Sequence, residues 1–565
     1  MVEGYLRSMG SRTAIAAFLV FLSFATIYLV AVVEMDNTNI GTTNGLWKTP
    51  AVRGWEKGTG HKLDSGEWLY QPLYGVLCRA IPEGWVSYGT HGPVVTFRKM
   101  AMFNALFGGL ASAAVFLMAM RFLRSIPASA VAALAHGCAA FVILNSINSE
   151  DILPAYGFFV LMTFCLFAFL DGDRAAYLAG AGLCCAMLTL LHWTLMIPAL
   201  AGVTAVGVLA AIGNWRRAWW LPVFFAVFLT LLQLFAIVFG PSKQGGWELG
   251  SLESKTGAVP FEKIASVLDI LRPTKTTPNG YLGLRWNKVV SAFVGIGNYL
   301  LGGRNIGDNR YAFSDPNILG RMRISWAFAA VTLAALTWAA IRRDRTRSLA
   351  IFGLAVFAMG QMEHLYSQPQ DPQSQIEPMF ATMLGVIVIL EALGRMRFLT
   401  LAMGAAFLLE GSDNARQMLA SRGQDSRSMK QSNELAQLFS PDNTVIVSQG
   451  WEEWNTWVYS ETFGGDSPRY LTQNIGLFNG FIQHLGATPA EAADLMAKQI
   501  DHALAQGQRV VANVVWVGSR EDFAYSLSTL TSIENARIYT NRLYGAFHAG
   551  RSWDTSVGKF VELEK

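Results

Sequence analysis

Carboxylates stand where the first long apolar run of the sequence ends. Glu34 and Asp36 follow the uncharged stretch from Ala14 to Val33, and Asn37 comes directly after Asp36. A carboxylate beside a low-dielectric region is suited to removing a proton from a hydroxyl group as a general base. We interpret Asp36 as the centre of a site at the membrane surface, with Glu34 and Asn37 beside the substrate. A solvated helix flank is the alternative interpretation.

Further acids and histidines mark the ends of other apolar runs. Glu150 and Asp151 come just before one run, Glu363 and His364 end another, and His192 follows a third. If these ends meet on one side of a membrane, the acidic pair joins the first carboxylate in catalysis and the other three side chains contact substrate. Each also has a structural alternative: acids favour a helix N-terminus, Glu363 and His364 can simply end a span, and His192 can be a packed interfacial histidine.

Two basic residues are candidates for binding a phosphate directly, and one pair of acids is a candidate for binding it through a divalent cation. Lys62 and Arg304 follow glycine-rich turns beside amphipathic segments, and lysine and arginine both bind phosphate well. Asp36 and Asp151 together could hold a divalent cation, Mg²⁺ or Mn²⁺, against the same group. The alternative for any of the external basic residues is that it is solvated or lies at lipid headgroups; a few that converge near the bilayer would neutralise a lipid-linked phosphate.

The elements that must position these residues are membrane-spanning helices. Of the 565 residues, 52% are apolar and 15% are charged, against about 25% charged residues in a soluble domain. Several uncharged runs of about 17 to 22 residues recur. About eleven spans are predicted, at 14–33, 101–121, 127–144, 152–170, 175–191, 194–213, 218–240, 323–341, 348–362, 379–393 and 397–410, of which the last two are short. A net charge of +4 is too small to indicate a nucleic-acid partner. The five cysteines form no CxxC pair, so they indicate neither a structural metal site nor a disulfide framework.

The short loops that contain Lys and Arg predict the orientation. Basic residues precede the first span and follow spans two, four, six, eight and ten, so these loops share one side if the spans alternate. The positive-inside rule makes that side cytoplasmic. The long loops 34–100, 241–322 and 363–378 then lie on the external side. Within them, segments 67–81 and 286–303 have the pattern of helices lying on the membrane.

Beyond residue 410 the composition becomes that of a soluble domain, and strand and helix patterns alternate. The predicted elements are a strand at 444–450, a helix at 489–506, a strand at 509–518, a helix at 520–530 and a short strand near Arg537–Tyr539. We therefore predict a membrane module at 1–410 and an external α/β domain at 411–565.

The arrangement resembles the GT-C superfamily of polyprenyl-phosphate-dependent glycosyltransferases. The resemblance rests on VVEMDNTN after the first span, the long following loop with EWLYQPLY, the acidic SED before span four and the large loop before span eight. It covers residues 12–410, and the tail is similar in placement to the periplasmic domains of several such enzymes.

The resemblance implies inverting transfer of a sugar from a polyprenyl-phosphate donor to the hydroxyl group of a glycan, lipid or protein. Asp36 matches the first-loop acid, expected to act as general base on the acceptor. Glu150 or Asp151 matches the second acidic motif, expected to assist catalysis, hold a metal or orient the substrate. The protein would be a multi-pass enzyme of the inner (plasma) membrane, with a cytoplasmic N-terminus and a periplasmic C-terminal domain.

Two other classes of protein compete with this interpretation. A transporter or flippase of a lipid-linked glycan would carry charges within its spans, yet mid-span ionisable residues are scarce and no paired half-repeats stand out. A scaffold whose external domain binds a partner would leave the carboxylates without a role. Among the three classes, only the transferase requires Asp36.

Overall fold

A computed structural model shows two compact units in the chain. The first comprises residues 1–91, 95–265 and 286–422, and the second comprises 92–94, 266–285 and 423–565. The residues that the structure describes are 2–34, 52–58, 69–85, 93–149, 151–172, 174–239, 286–301, 316–342, 345–365, 372–394, 396–419, 434–435, 437–440, 443–448, 469–472, 487–513, 518–527, 532–556 and 558–565.

The first unit is a bundle of α-helices. In chain order they are α1 (Val2–Glu34), α2 (Tyr70–Arg79), α3 (Pro93–Leu123), α4 (Ile126–Cys138), α5 (Ala140–Ser146), α6 (Ile152–Gly172), α7 (Ala175–Leu191), α8 (Met196–Gly213), α9 (Trp220–Phe239), α10 (Trp286–Tyr299), α11 (Pro316–Ile341), α12 (Arg347–Leu365), α13 (Pro372–Leu393) and α14 (Arg397–Leu419). Each predicted span coincides with one helix, except the third, which coincides with α4 and α5. Within the described part of the chain, 7 helices are long and apolar enough to cross a membrane, or 8 if the bent pair counts as one span. The prediction of a polytopic helical membrane protein is confirmed.

Helix α1 divides its surface between lipid and protein. Phe18, Leu19 and Leu22 are exposed, as expected for side chains that face lipid, whereas Tyr28 is buried. A Cβ atom on Gly109 of α3 would lie 2.9 Å from the backbone nitrogen of Ala25. Helices in membranes associate through such small residues because they let the backbones approach closely. The glycine therefore sets the contact between α1 and α3.

Helices α6 and α13 form the centre of the bundle. Phe159 of α6 packs edge-on against Phe380 of α13, with ring centroids 5.4 Å apart, and neither side chain is exposed. Tyr156 contacts the same phenylalanine at 6.1 Å. Both helices are apolar around most of their circumference, which is the pattern of a helix buried on all sides.

One end of the bundle carries charges from three loops. Asp171 at the end of α6 accepts hydrogen bonds from Arg121 of α3 and from Arg345, which precedes α12, each at 3.4 Å. Arg121 also lies over the Phe164 ring, 5.5 Å from its centroid. The charge pattern predicted that these loops share a side, and the structure brings them together at one end. That this end is cytoplasmic stays a prediction.

The third predicted span is broken near its middle. Helices α4 and α5 are bent by 67° at Ala139, where a ψ of 135° is extended. The amide of Ala140 donates to the carbonyl oxygen of Leu300 at 3.1 Å, and the Asn414 amide donates to the carbonyl oxygen of Cys138 at 2.9 Å. Non-helical backbone is tolerated inside a membrane protein only where other parts of the protein satisfy it in this way.

The described part of the second unit contains a five-stranded sheet and three helices of eight or more residues. The strands are β1 (Thr444–Ser448), β2 (Arg469–Thr472), β3 (Arg509–Asn513), β4 (His548–Thr555) and β5 (Gly558–Glu564), in the order β2-β1-β3-β5-β4. The helices are α15 (Pro489–Ala505), α16 (Arg520–Leu527) and α17 (Ile533–Tyr544). Strand β1 is parallel to β2 and β3, whereas β5 is antiparallel to β3 and β4. The helices share one buried apolar core with alternate residues of β1, β3 and β5, so the predicted α/β class is confirmed.

The strand predicted near Arg537–Tyr539 is wrong, because these residues lie inside α17. Ser532 caps that helix by accepting a hydrogen bond from the backbone nitrogen of Asn535 at 3.1 Å. Tyr539 and Leu543 are buried at helical spacing, which outweighs the short β-prone run. The sequence analysis also missed the hairpin of β4 and β5, whose exposed outer strand lacks a clear apolar alternation.

Helix α15 begins with a capping box formed by Thr488 and Glu491, and we expect its stabilisation of the helix to depend on pH. The Thr488 amide donates to the Glu491 carboxylate at 2.5 Å, and the Glu491 amide donates to the Thr488 hydroxyl at 3.3 Å. These hydrogen bonds lower the pKa of Glu491 below its ordinary value. Because the folded-state pKa is depressed, this stabilisation is present at neutral pH and is lost as the pH falls through the folded-state value.

We therefore expect Glu491→Ala to increase hydrogen exchange of peptide 487–505 at pH 7, after correction for intrinsic exchange. The difference from the wild type should shrink below about pH 4, where the unfolded glutamate is protonated. A difference that does not change with pH would contradict a role for the carboxylate charge.

Candidate functional site

The described residues contain four of the side chains that the sequence singled out. Asp151, His192, Glu363 and His364 are placed by the structure, and Glu34 is the last residue of α1. The others lie outside the described residues: Asp36, Asn37, Lys62, Glu150 and Arg304. The meeting of Asp36 with the second acidic motif therefore stays a prediction.

Asp151 is part of a buried polar turn directly before α6. Its side chain is 0% exposed, and so is that of Ser149. The amide of Ser149 donates to the side-chain oxygen of Asn148 at 2.8 Å, and Tyr70 donates to the carbonyl oxygen of Ser149 at 2.6 Å. Asn104 of α3 donates to the carbonyl oxygen of Asn148 at 2.6 Å. We call Asn148, Ser149 and Asp151 together the acidic turn; two other segments of the chain hold the backbone of Asn148 and Ser149.

Helix α2 supplies two stacked tyrosines to the acidic turn. The rings of Tyr70 and Tyr74 have centroids 4.3 Å apart, and both are fully buried. The Tyr74 hydroxyl donates to the side-chain oxygen of Asn104. Burial raises the pKa of Tyr74 well above its ordinary value, and the Asp151 carboxylate contributes in the same direction.

A buried ion pair anchors the loop that leads to α2. Residues 52–57 are helical, and Glu56 within them accepts hydrogen bonds from Lys99 and Thr96 of α3, each at 2.6 Å. The side chains of Lys99 and Glu56 are only 3% and 7% exposed. Arg79, the last residue of α2, donates to the carbonyl oxygen of Glu56 at 2.9 Å. Lys99 and Arg79 therefore have structural roles in fixing the loop.

His192 lies at the same end of the bundle as the acidic turn. It follows α7, and its Nδ1 is 2.7 Å from the hydroxyl oxygen of Thr194. Two residues earlier, the carbonyl oxygen of Leu190 accepts a hydrogen bond from the amide of Leu69 at 3.2 Å. Since Leu69 directly precedes α2, the structure brings the start of α2, the end of α7 and the segment before α6 together, with Asn104 of α3.

Glu363 and His364 belong to a second polar cluster, between α12 and α13. His364 is paired with Glu377 of α13, and both side chains are buried. One turn away, Gln361 donates to Gln375 at 2.6 Å. The sequence analysis did not identify Glu377, because it began the span at residue 379 rather than at Pro372, where α13 starts.

The sequence analysis also missed the residues that hold the acidic turn. Tyr70 and Tyr74 were included in a segment expected to lie on the membrane surface and in EWLYQPLY, but neither was predicted to contact the acids. Their spacing of four residues places both on one helical face, and this was the available signal. Asn104 gave no signal, since a single asparagine in an apolar run has many explanations.

The described residues include part of a possible cation site. Asp151 supplies carboxylate oxygens of the kind that Mg²⁺ and Mn²⁺ prefer. Among the residues with a described position, no three His, Cys, Asp or Glu side chains converge as a metal-binding group. Asp36, the other predicted ligand, lies outside that set.

Comparison with solved structures identifies the fold. The chain is similar to ArnT from Cupriavidus metallidurans bound to undecaprenyl phosphate, with a TM-score of 0.52 and 11% identity over 97% of both chains. The apo structure of that protein is matched with a TM-score of 0.41 and 12% identity over 97% of this chain and 98% of the other. No family model matches the sequence, and no curated protein matches it. The first likeness shows that the two chains share a fold, which agrees with the fold that the sequence predicted.

Proposed function

We propose that the protein is a glycosyltransferase that moves a sugar from an undecaprenyl-phosphate-linked donor to an acceptor hydroxyl. The observation that carries the proposal is the full-length likeness to a protein solved with undecaprenyl phosphate. The buried acidic turn supports it, because it holds a carboxylate at the end of the bundle where predicted external segments meet. We place the reaction at the external face of the inner membrane.

In the proposed reaction, Asp36 accepts the proton of the acceptor hydroxyl. The hydroxyl oxygen of the acceptor attacks C1 of the sugar at the same time. The new C1–O bond forms as the bond from C1 to the phosphate oxygen breaks, and polyprenyl phosphate leaves with the electron pair. Attack opposite the leaving group inverts the configuration at C1. The pair Glu150 and Asp151 orients the substrate or holds a cation, and such preorganised charges stabilise the transition state.

The remaining predicted residues have supporting roles in this proposal. Lys62 and Arg304 neutralise the phosphate as negative charge develops on it. His192 lies near the acidic turn and contacts the sugar or acceptor. Glu363 and His364, with their partner Glu377, belong to the second polar cluster and would extend the binding surface toward α12 and α13. A divalent cation, where bound, would be shared by Asp36 and Asp151 and would screen the phosphate.

Release of undecaprenyl phosphate tests the proposal and separates it from a flippase. The full-length protein is reconstituted in vesicles with undecaprenyl-phosphate-linked glucose or ribose and an envelope extract as the source of acceptor. A transferase releases undecaprenyl phosphate, which is measured by chromatography, and moves label from the lipid into the acceptor. A flippase moves the intact donor across the bilayer and releases none. Translocation without release would therefore contradict the proposal.

A further inference from the structure

Two buried side-chain atoms, one in α2 and one in the acidic turn, have no hydrogen-bond partner among the described residues. They are Oε1 of Gln71, a residue that is 2% exposed, and Oγ of Ser149, which is 0% exposed. Neither atom has a partner among the residues that the structure describes. A polar atom left unsatisfied in a protein interior costs folding free energy, so each such case needs an explanation.

The backbone around Ser149 is already satisfied, which isolates its hydroxyl. Its amide donates to Asn148 and its carbonyl oxygen accepts from Tyr70, at 2.8 and 2.6 Å. The residue is therefore held from both sides, with only Oγ unused. It lies two positions before Asp151, on the segment that precedes α6.

Gln71 approaches the same region from α2. It comes directly after Tyr70 and three residues before Tyr74, so it shares a helical face with Tyr74. The Tyr74 hydroxyl is bonded to Asn104, which in turn is bonded to Asn148 of the acidic turn. One short chain of hydrogen bonds thus joins the helix of Gln71 to the segment of Ser149.

We propose that Gln71 and Ser149 form a subsite that hydrogen-bonds the hydroxyl groups of a neutral sugar held beside Asp151. The inference rests on the proposed function and assigns the donor's sugar to these two side chains. An amide oxygen accepts a hydrogen bond from a hydroxyl group, and a serine hydroxyl both donates and accepts hydrogen bonds. Both groups are uncharged, so neither supplies the opposite charge that a buried ionised group of the ligand would need.

The proposal makes opposite predictions for the free and the bound protein. Gln71→Met and Ser149→Ala remove unsatisfied atoms and replace them with apolar groups of similar or smaller size. They should therefore leave the unfolding temperature of the free protein unchanged or raise it. They should lower the affinity for a sugar-bearing lipid about 10-fold or more, because a hydroxyl of the bound sugar loses its partner.

Ser129 provides a matched control. Its hydroxyl is also buried without a partner among the described residues. Ser129 lies near the start of α4, however, whereas Ser149 follows the end of α5. Ser129→Ala makes the same chemical change as Ser149→Ala. It should leave the binding of every lipid unchanged.

The experiment measures thermal unfolding of the full-length protein in detergent. Four conditions are compared: no addition, undecaprenyl phosphate, undecaprenyl-phosphate-linked glucose, and undecaprenyl-phosphate-linked ribose. In the wild type and in Ser129→Ala, at least one sugar-bearing lipid should stabilise more than undecaprenyl phosphate does. In Gln71→Met and Ser149→Ala the response to undecaprenyl phosphate should remain and the additional response to the sugar should be lost.

Three results would overturn the subsite. The first is a lower unfolding temperature of Gln71→Met or Ser149→Ala without lipid. The second is an additional stabilisation by a sugar-bearing lipid that remains in both variants. The third is a wild type in which neither sugar-bearing lipid stabilises more than undecaprenyl phosphate does. These results are separable from failure of the proposed function. A wild-type protein that does not respond to undecaprenyl phosphate counts against the lipid-linked donor itself, whereas an intact response to that lipid confines the failure to the subsite.

Discussion

Replacing Asp36 with asparagine is expected to lower the rate of sugar transfer by about 10²–10⁴-fold, the usual contribution of a general base. Asparagine keeps the size of the side chain but cannot take the proton of the acceptor hydroxyl. The substitution should leave expression and the unfolding temperature intact, because the proposed role is chemical. Label transferred from undecaprenyl-phosphate-linked sugar to acceptor is the measurement.

Glu34→Gln is the matched control for Asp36→Asn. It removes a carboxylate two residues earlier, at the end of α1, where the proposed role is contact with substrate rather than proton transfer. We expect a smaller loss of rate, expressed mainly in KM. Full activity of Asp36→Asn would contradict the assignment of the base. If Asp36→Asn transferred no sugar but still moved the donor across the bilayer, sugar transfer and donor translocation would be separate activities of this protein.

The second large effect is expected from breaking the ion pair of Glu56 and Lys99. Lys99→Met leaves the Glu56 carboxylate buried without its cation. Removing one partner of a buried pair costs about 3–5 kcal/mol, because the remaining charge is uncompensated. The unfolding temperature should therefore fall strongly, and sugar transfer should fall with it, since this pair fixes the loop before α2.

Two comparisons make this prediction specific. The double variant Glu56→Gln with Lys99→Met removes both charges and should recover most of the lost stability. Asp171→Asn breaks longer ion pairs whose carboxylate is 46% exposed, and should cost only about 0–1 kcal/mol. If Lys99→Met were no worse than Asp171→Asn, the pair would not anchor the loop.

The membrane part of the fold was predictable because its signals are local. An uncharged run of spanning length must cross the bilayer or be buried, so the runs at 152–170 and 175–191 predicted α6 and α7 almost to the residue. The bend at Ala139 was not predictable. It depends on hydrogen bonds from Asn414 and to Leu300, and nothing near Ala139 in the sequence indicates these partners.

The candidate site was predicted in its acids but not in its supports. Asp151 stood out because a carboxylate next to an apolar run is conspicuous. Tyr70 and Asn104 could not be linked to it, since their contacts join residues 79 and 44 positions apart. Gln71 gave no signal because its significance is an unused hydrogen-bond acceptor, which only the folded protein reveals.

The bond between Asn414 and Cys138 has a consequence for biogenesis. The two residues are 276 positions apart, so the ribosome completes the third span long before it makes the group that binds the Cys138 carbonyl oxygen. Insertion of that span into the bilayer and adoption of its final bend are therefore separate events. A nascent chain that stops before α14 can place the span in the membrane, but it lacks the amide that stabilises the mature shape.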